Sequence, residues 1–428
     1  MIDIRLIREN PNLVKENMKK KFKDEKLYLV DEILEYDKEL KKVRSESDAL
    51  RHSRNVLSEE INKLKKEKKD ASHTLMQVKE IPEKIAKIEE SVIHLESRIQ
   101  KNMMQIPNIM HELVPIGKDG TENVESEKIG KIRHMDFEPK NHVELLEDLG
   151  IVDFDSSAKV AGNGFYYLEG DLALLNQALI MFGVDKMVSK GFVYVETPLM
   201  LNSSVIRNVT DLNDMKNQIF KIEDEDLYLI GTSEHSMIGR YINSVVAAGK
   251  LPIKNTSYSM CFRKEIGSHG IDEKGLFRTH QFNKIEMIVL CMPEDSERFF
   301  EELKKITVEI FEELEVPIRV LEICSGDLGD LKNRQIDIEA WSPKRKEYYE
   351  VGSCSNLTDA QARRLNIKFS DTQGNKQFVH TLNNTAIATL RALVAIIENY
   401  QNADGTINIP TMLQKYMHGK KKIQKLEK

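Results

Sequence analysis

Apolar residues in the first quarter of the chain recur at alternating steps of three and four, with charged residues between them. The first series has ten positions, with polar interruptions at Ser47 and Arg54: Ile33, Tyr36, Leu40, Val43, Ser47, Leu50, Arg54, Leu57, Ile61 and Leu64. The second series has seven: Ile85, Ile88, Val92, Leu95, Ile99, Asn102 and Ile106. Such steps place an apolar stripe along one side of an α-helix, so each series predicts a long helix with a coiled-coil seam.

A stretch that is unfavourable for a helix separates the two series, with Lys69, Asp70, Ser72 and Pro82. We therefore predict two helices of roughly 35–50 Å that fold back on each other as an antiparallel α-helical coiled-coil arm. A seam shows that one side of a helix is buried, not what buries it, so pairing between two chains is the alternative. Chain continuity favours the hairpin.

Beyond Pro107 the helical pattern gives way to Pro, Gly, Asn and Asp residues typical of a linker. We predict an N-terminal domain over residues 1–115 and a second domain over residues 116–428. Two helical patterns of the second domain are mixed with three strand-like runs: Leu172–Lys190 and Ser296–Leu314, then Ile285–Leu290, Ile318–Ile323 and Gln335–Trp341. Because strands and helices do not alternate regularly, the predicted fold class is α+β.

The net charge of −6 is divided unevenly along the chain. Residues 1–110 carry 24 Lys and Arg against 21 Asp and Glu, a net +3, which leaves 39 against 48, a net −9, for the rest. A polyanion should therefore prefer the N-terminal domain. The densest basic run lies near the predicted turn between the helices: Lys63, Lys65, Lys66, Lys68 and Lys69. Taken alone, such a run is equally consistent with a solvated helix face.

The composition, with 40% hydrophobic and 31% charged residues among 428, is that of a soluble globular protein. The segment Met1–Phe22 lacks the apolar core of a signal peptide, and we expect no membrane-spanning run, so a cytoplasmic location is expected. The four cysteines lie thirty residues or more apart, which argues against a disulfide framework and a local zinc site: Cys261, Cys291, Cys324 and Cys354. Neither common glycine-rich nucleotide loop is present.

Three stretches of the second domain match the signature motifs of class II aminoacyl-tRNA synthetases. The first is KGFVYVETPLM around Pro198, and the second, from Cys261 to Glu286, contains FRKE and GLFRTHQFNKIE. The third, NNTAIATLR, ends at Arg391 and runs into Leu393–Gln401. In detail they resemble the seryl-tRNA synthetase family, in an archaeal-type variant of its common zinc-independent form.

The resemblance covers essentially the whole chain and implies an antiparallel-sheet catalytic domain preceded by the coiled-coil arm. It implies a serine–tRNA ligase that uses ATP and Mg²⁺, without zinc, to activate L-serine and charge tRNA(Ser), and tRNA(Sec) where present. In the family the hairpin reads the long variable arm of the tRNA, a role that the five lysines would serve through backbone contacts. The motif around Pro198 implies a homodimer.

By resemblance, seven residues contact ATP: Arg263, Glu265, Arg278, Phe282, Glu350, Ser353 and Arg391. Arg263 and Arg391 are the expected catalytic residues, because serine's carboxylate must attack a phosphate that is already negative. Adenine would stack between Phe282 and Arg391, and its amino group would donate a hydrogen bond to the carboxylate of Glu265. Glu350 and Ser353 would hold Mg²⁺ between phosphates. No general base is needed, because the attacking carboxylate is already ionised.

Six residues are assigned to serine in the same way: Thr232, Glu234, Arg263, Glu286, Asn383 and Thr385. Glu286 is the expected partner of the ammonium group. A pocket that hydrogen-bonds the hydroxyl rejects alanine by leaving buried polar groups unpaired. His235 and His269 are expected to line walls or loops, and Cys354 to pack in the core.

Gly352 stands where most family members have Ser, and NNTA replaces a common Gly-Ser-Gly form of the third motif. These variants weaken the carry-over of contacts at Gly352 and Thr385. Two other function classes remain: an RNA- or protein-binding adaptor on a degenerate synthetase body, and a ligase that loads an amino acid onto a carrier protein. The intact charged residues of the motifs argue against the adaptor, and the hairpin would be unnecessary for the carrier-protein ligase.

Overall fold

A computed structural model describes residues 1–210, 217–265 and 274–425. The chain divides into two units, Met1–Ile109 and Met110–Lys428, which we call the arm unit and the catalytic unit. The division lies a few residues before the boundary predicted near residue 115.

The described helices of the arm unit are two short ones and two long ones: Ile4–Glu9, Pro11–Lys20, Tyr28–Lys66 and Ser72–Met103. The long helices are antiparallel: successive contact residues have increasing numbers along the first helix and decreasing numbers along the second. Glu32 accepts from Asn102 at 2.7 Å, Arg44 pairs with Glu96, and Arg51 pairs with Glu89 at 2.8 Å. The predicted hairpin is confirmed.

The second long helix begins earlier than predicted and passes through Pro82 without interruption. Ile81 and Ile85, on either side of this proline, are both buried. A proline removes one backbone hydrogen bond from a helix, and burial of the flanking apolar residues offsets that loss. The predicted break is therefore confined to the few residues between Lys66 and Ser72. Of the predicted seam positions, Arg54 alone is exposed.

The catalytic unit is built on an eight-stranded sheet: β1 (Val124–Ile129), β2 (Val193–Tyr194), β3 (Ile253–Phe262), β4 (Gln281–Cys291), β5 (Ile318–Glu322), β6 (Arg334–Ser342), β7 (Glu347–Asn356) and β8 (His380–Ala388). The strand order is β1-β5-β6-β7-β8-β4-β3-β2, and each neighbouring pair is antiparallel except β2 with β3. Strands β3 and β4 are the antiparallel pair that carries the second motif. The third motif begins on strand β8.

Nine described helices surround the sheet: His142–Leu149, Phe154–Ala161, Gly170–Ser189, Ser203–Val209, Ser233–Gly239, Ser296–Glu313, Ala360–Leu365, Thr389–Asn399 and Thr411–Gln414. Smaller strands form one three-stranded sheet and three strand pairs: Val245–Ala247, Lys368–Ser370 and Lys376–Phe378, then Val152–Asp153 with Tyr167–Leu168, Met200–Leu201 with Tyr228–Leu229, and Ile407–Asn408 with Lys422–Ile423. The main core lies between the sheet and the long helices, as residues such as Leu179, Phe300 and Leu393 show. The predicted α+β class is confirmed.

The expectation that no segment is long and apolar enough to span a membrane was wrong for one helix. Gly170–Ser189 is long and apolar enough by length and composition, although half of its most apolar window is buried in the protein. Leu172, Leu175 and Leu179 on its inner side belong to the main core. Burial of one face against a sheet explains its high hydropathy.

Candidate active site

Two adjoining cavities open on the catalytic unit, of about 650 Å³ and about 1290 Å³. All twelve residues that the sequence assigned to ATP or serine line one or both. The first cavity, which we name the ATP-side cavity after the sequence prediction, is lined by Glu265, Arg278, Phe282 and Arg391. The second, the serine-side cavity, holds Thr232, Glu234, Glu286, Ser353 and Asn383. Four residues line both cavities: Arg263, Lys284, Glu350 and Thr385.

Arginines dominate the ATP-side cavity. The Nε of Arg263 donates to the carbonyl oxygen of Gly231 at 3.2 Å. Arg278 forms an ion pair with Glu265 at 3.2 Å. Arg391 donates to the carbonyl oxygen of Glu350 at 2.9 Å and pairs with its carboxylate at 3.1 Å. These bonds fix three cations around one space, as a bound polyphosphate requires.

Two aromatic rings of this cavity each lie next to an arginine. Phe282 lies 5.3 Å from the guanidinium of Arg263, while Arg391 lies 5.4 Å from the ring of Phe277. Phe277 was missed from the sequence, although it stands next to Arg278 in the second motif. The cavity therefore offers two aromatic surfaces, each next to a guanidinium.

Buried His142 anchors the segment that carries Phe277 and Arg278. Its Nε2 accepts from the backbone N–H of Leu276 at 3.2 Å, and its Nδ1 lies 3.2 Å from a carboxylate oxygen of Glu398. The other oxygen of Glu398 accepts from Ser342 at 2.5 Å. Because Nε2 accepts, the proton of a neutral ring is on Nδ1, facing Glu398. His142 lies more than 130 positions from Leu276, so no local pattern could reveal this contact.

Acidic groups line the shared wall next to Arg391. Asp337 on β6 is directly opposite Ser353 on β7, and Gln335 donates to both, at 2.7 and 3.0 Å. Burial and the charge of Glu350 raise the pKa of Asp337. Burial is the largest influence on Glu350 and opposes its ionisation, but the charge and hydrogen bond of Arg391 together with the charges of Arg263 and Lys332 outweigh burial and lower the pKa of Glu350. Asp337, which the sequence analysis missed, thus adds a second carboxylate beside the predicted magnesium ligands.

The serine-side cavity begins at the helix Ser233–Gly239. Thr232 is its N-cap and accepts from the N–H of Glu234 at 3.3 Å. Gln361 donates to the Glu234 carboxylate at 3.0 Å. Burial and the nearby charge of Glu286 raise the pKa of Glu234 to about 7. Burial, together with the charges of Lys284 and Arg263, lowers the pKa of His235 to about 3, so this wall histidine is neutral.

Glu286 is almost completely buried and holds two partners on one carboxylate oxygen. The ammonium of Lys284 lies 2.5 Å from it, and the hydroxyl of Thr385 lies 3.5 Å from it. A bulge opposite β4 leaves Ala386 unpaired next to Thr385. A second bulge leaves Val351 unpaired between Glu350 and Gly352. Bulges redirect neighbouring side chains, and both lie at residues of the site.

Gly352 keeps the wall open at a crowded point. A Cβ atom there would lie 3.3 Å from the carbonyl oxygen of Thr385 and 3.3 Å from a methyl group of Thr307. The side chain of Asn384 turns away from the cavities and donates to the carbonyl oxygen of Leu303 at 2.7 Å. The variants therefore include Gly352, Asn383 and Thr385 in the cavity walls and Asn384 in the packing behind them.

The sequence analysis also made predictions about metal ligands, cysteines, His269 and the lysines of the arm, none of which concern the lining of the two cavities. Within residues 1–210, 217–265 and 274–425, no group of three or more His, Cys, Asp and Glu is arranged to hold a metal ion. The four cysteines are buried and free, and His269 lies outside the described residues. The five lysines of the arm are all exposed at the end of the first long helix and in the turn after it.

Comparison with known proteins agrees with this architecture. A model of the class II core domain of tRNA synthetases (G, H, P, S and T) matches residues 219–400, and a model of the seryl-tRNA synthetase N-terminal domain matches residues 1–110. The mainly antiparallel sheet and this core domain are those of a class II aminoacyl-tRNA synthetase.

The most similar relatives that we compared are all seryl-tRNA synthetases, which are one family within this class. The serine–tRNA ligase of Methanospirillum hungatei is 45% identical over 98% of this chain and 99% of its own length. The crystal structure of seryl-tRNA synthetase from Pyrococcus horikoshii complexed with ATP is 43% identical, with a TM-score of 0.94 over 100% of both chains. That of the cytoplasmic serine–tRNA ligase from Naegleria fowleri with AMP is 31% identical, with a TM-score of 0.90 over 100% and 99% of the two chains. The chain belongs to the seryl-tRNA synthetase family of serine–tRNA ligases. The predicted family, fold class and enzyme class are confirmed.

Proposed function

We propose that this protein uses ATP to convert L-serine into seryl-adenylate and then transfers serine to the 3′ end of tRNA(Ser). The observation that carries the proposal is the junction of the two cavities. Arg263, Lys284, Glu350 and Thr385 line both, so a ligand in each would meet there. Two substrates that react at one point require this arrangement.

ATP fits the first cavity by its chemistry. Arg263, Arg278 and Arg391 supply cations for the phosphates, and Phe277 and Phe282 supply flat surfaces for adenine. The carboxylate of Glu265 would accept from the adenine amino group. The relative from Pyrococcus horikoshii, complexed with ATP, supports this assignment.

Adenylation requires positive charge more than proton transfer. The carboxylate of serine is already ionised and attacks the α-phosphate, whose added negative charge the fixed arginines stabilise. Arg263 lines both cavities and would contact both reacting groups. Arg391 would act from the opposite wall.

The acidic wall fits a magnesium ion. Asp337 and Glu350 are close enough for the charge of Glu350 to raise the pKa of Asp337, and a divalent cation would relieve that repulsion. Glu350 and Ser353 would hold the ion by their oxygens, which suit magnesium, together with phosphate oxygens of ATP. When bound, it would neutralise phosphate charge. We propose no zinc in this site.

Serine would be bound through its ammonium and its hydroxyl. Glu286 would accept from the ammonium, and Thr232, Glu234, Asn383 and Thr385 surround the remaining space. Buried polar groups such as Glu234 would be left unpaired by alanine, which gives selectivity for the hydroxyl.

The arm would bind the tRNA. Its exposed lysines suit backbone contacts rather than base readout. Because such recognition follows shape, we extend the proposal to tRNA(Sec) where it is present, which a charging assay with that tRNA would check. A cytoplasmic location follows from the proposed substrates, and cell fractionation would test it.

A homodimer would cover an apolar surface formed by the helix Gly170–Ser189 and by the first motif that follows it. Leu174, Met181 and Val188 are exposed at seven-residue spacing on one helix, and the edge strand β2 exposes Val193. Apolar residues at this spacing lie on one helix face, and an edge strand offers unpaired backbone groups. Light scattering should give twice the chain mass of 49.3 kDa, and a monomeric mass would contradict the dimer.

The decisive experiment is serine-dependent exchange of pyrophosphate into ATP, followed by tRNA charging. We expect exchange with serine, little with alanine or threonine, and charging of tRNA(Ser). Absence of exchange in the folded protein would favour a non-catalytic adaptor. Exchange without tRNA charging would favour a ligase that loads a carrier protein.

A further inference from the structure

Strand β4 places three different kinds of side chain in a row. Phe282, Lys284 and Glu286 are two residues apart, so their side chains lie on one face of the strand, roughly 6–7 Å from each to the next. Phe282 lines the ATP-side cavity, Glu286 lines the serine-side cavity, and Lys284 lines both. The strand therefore sets a cation between the adenine surface and the predicted ammonium partner.

Lys284 is held firmly in this position. Its ammonium lies 2.5 Å from Glu286, and the two side chains are only 8% and 2% exposed. A buried ion pair costs desolvation that its mutual attraction only partly offsets, so a lysine that served packing alone could be replaced by an apolar residue. A carboxylate accepts about four hydrogen bonds, which leaves Glu286 able to bind the serine ammonium as well.

We propose that Lys284 is a second catalytic cation of serine activation, which acts with Arg263 where the two substrates react. The inference rests on the proposed function. In the reaction, a carboxylate oxygen of serine forms a bond to the α-phosphorus, and the bond from this phosphorus to the oxygen bridging to the β-phosphate breaks. Pyrophosphate leaves with that electron pair, and no proton is transferred. Lys284 stays protonated and stabilises the negative charge that accumulates at the α-phosphate.

Replacement of Lys284 by methionine tests this role. We expect kcat of pyrophosphate exchange at saturating serine and ATP to fall about 100-fold or more, as when one fixed donor to a transition-state charge is removed. The serine dissociation constant, measured by calorimetry, should change less, by about threefold. A lysine that only neutralised Glu286 would give the opposite split, with weakened serine binding and a kcat near that of the wild type. That outcome would overturn the proposal.

Lys254 provides the matched control. It lies on the neighbouring strand β3, is mostly buried, and pairs with Glu302 at 2.7 Å outside both cavities. Lys254→Met should keep kcat within about threefold of the wild type, and an equal loss in both variants would assign the Lys284 effect to the sheet. Lys284→Arg, which keeps the positive charge, should be at least tenfold faster than Lys284→Met, and equal rates would also refute the proposal. Wild-type protein without exchange would instead refute the proposed function.

Discussion

An ion pair in the outer part of the arm and an ion pair of the candidate active site differ sharply in burial. Across the arm, Arg51 and Glu89 form an ion pair in which both side chains are 52% exposed. In the catalytic unit, the pair of Lys284 and Glu286 is almost fully buried. Exposed pairs contribute about 0–1 kcal/mol, so the arm is held together by its apolar seam. Burying a charge costs free energy, so a buried ion pair indicates a role other than stability. In the catalytic unit we assign that role to chemistry at the two cavities.

The largest expected effect is a loss of pyrophosphate exchange with no loss of tRNA binding, which would show that the cavities and the arm have separate roles. Arg263→Ala should reduce pyrophosphate exchange by roughly 10²–10³-fold, or about 3–4 kcal/mol, because a phosphate charge loses a fixed partner. The tRNA dissociation constant should stay within about twofold, because the arm is untouched. Exchange kinetics and filter binding measure the two quantities, and thermal unfolding controls for the fold. Exchange at the wild-type rate would contradict the catalytic role of Arg263.

The second prediction removes the outer part of the arm. The cluster at its base includes Met18, Ile33 and Ile99, so the deletion must keep these residues. We propose to delete residues 50–90 and to join the helices by a short glycine-serine turn. Aminoacylation should fall at least about hundredfold, the loss of two or three charge-assisted contacts. Exchange should remain within about twofold, since the predicted ATP and serine residues all lie in the catalytic unit. A parallel loss of both activities would show that the two units do not work separately.

The third prediction uses the buried carboxylate of Glu234, whose pKa is raised to about 7. Raising the pH from 6 to 8 ionises this group, and its negative form accepts a stronger hydrogen bond from the serine hydroxyl and adds negative charge to the cavity that receives the serine ammonium. The serine KM should therefore fall about tenfold over this range, as expected for one ionisation. Steady-state exchange at each pH measures it, with the ATP KM as an internal comparison. Glu234→Gln should flatten the profile, and an unchanged profile in this variant would assign the titration to another group.

The smallest expected effect concerns the lysine run of the arm. Replacement of all five lysines by glutamine should weaken tRNA binding several-fold and reduce its salt dependence. Each lost contact with a phosphate lowers the slope of log K against log salt by about 0.9 for a duplex. The control variant replaces Lys346 and Lys376, exposed lysines of the catalytic unit. Equal slopes for wild type and the five-lysine variant would identify the run as a solvated helix face and place recognition elsewhere on the arm.

Elements that depend on local pattern were predicted well. The two seams gave the arm helices, and the apolar runs around Ile285, Ile318 and Ile336 gave three strands of the sheet. The break at Pro82 was wrong, because burial of Ile81 and Ile85 against the other helix outweighs the local preference of proline. The membrane expectation missed Gly170–Ser189, whose high hydropathy reflects its place in the core.

The sequence by itself identified the family and proposed twelve candidate ligand residues, eight of which stand in the second and third motifs. Only the tertiary structure revealed His142 behind Leu276, Gln361 beside Glu234 and Asp337 beside Glu350. Each of these pairs comes from separate segments of the chain, and no local period records such a contact. Lys284 stood in the quoted motif, yet its role depends on which cavities the strand borders. The physical reason is that periodicity reports local burial, whereas a charge acquires its function from the groups that folding brings within a few ångströms of it.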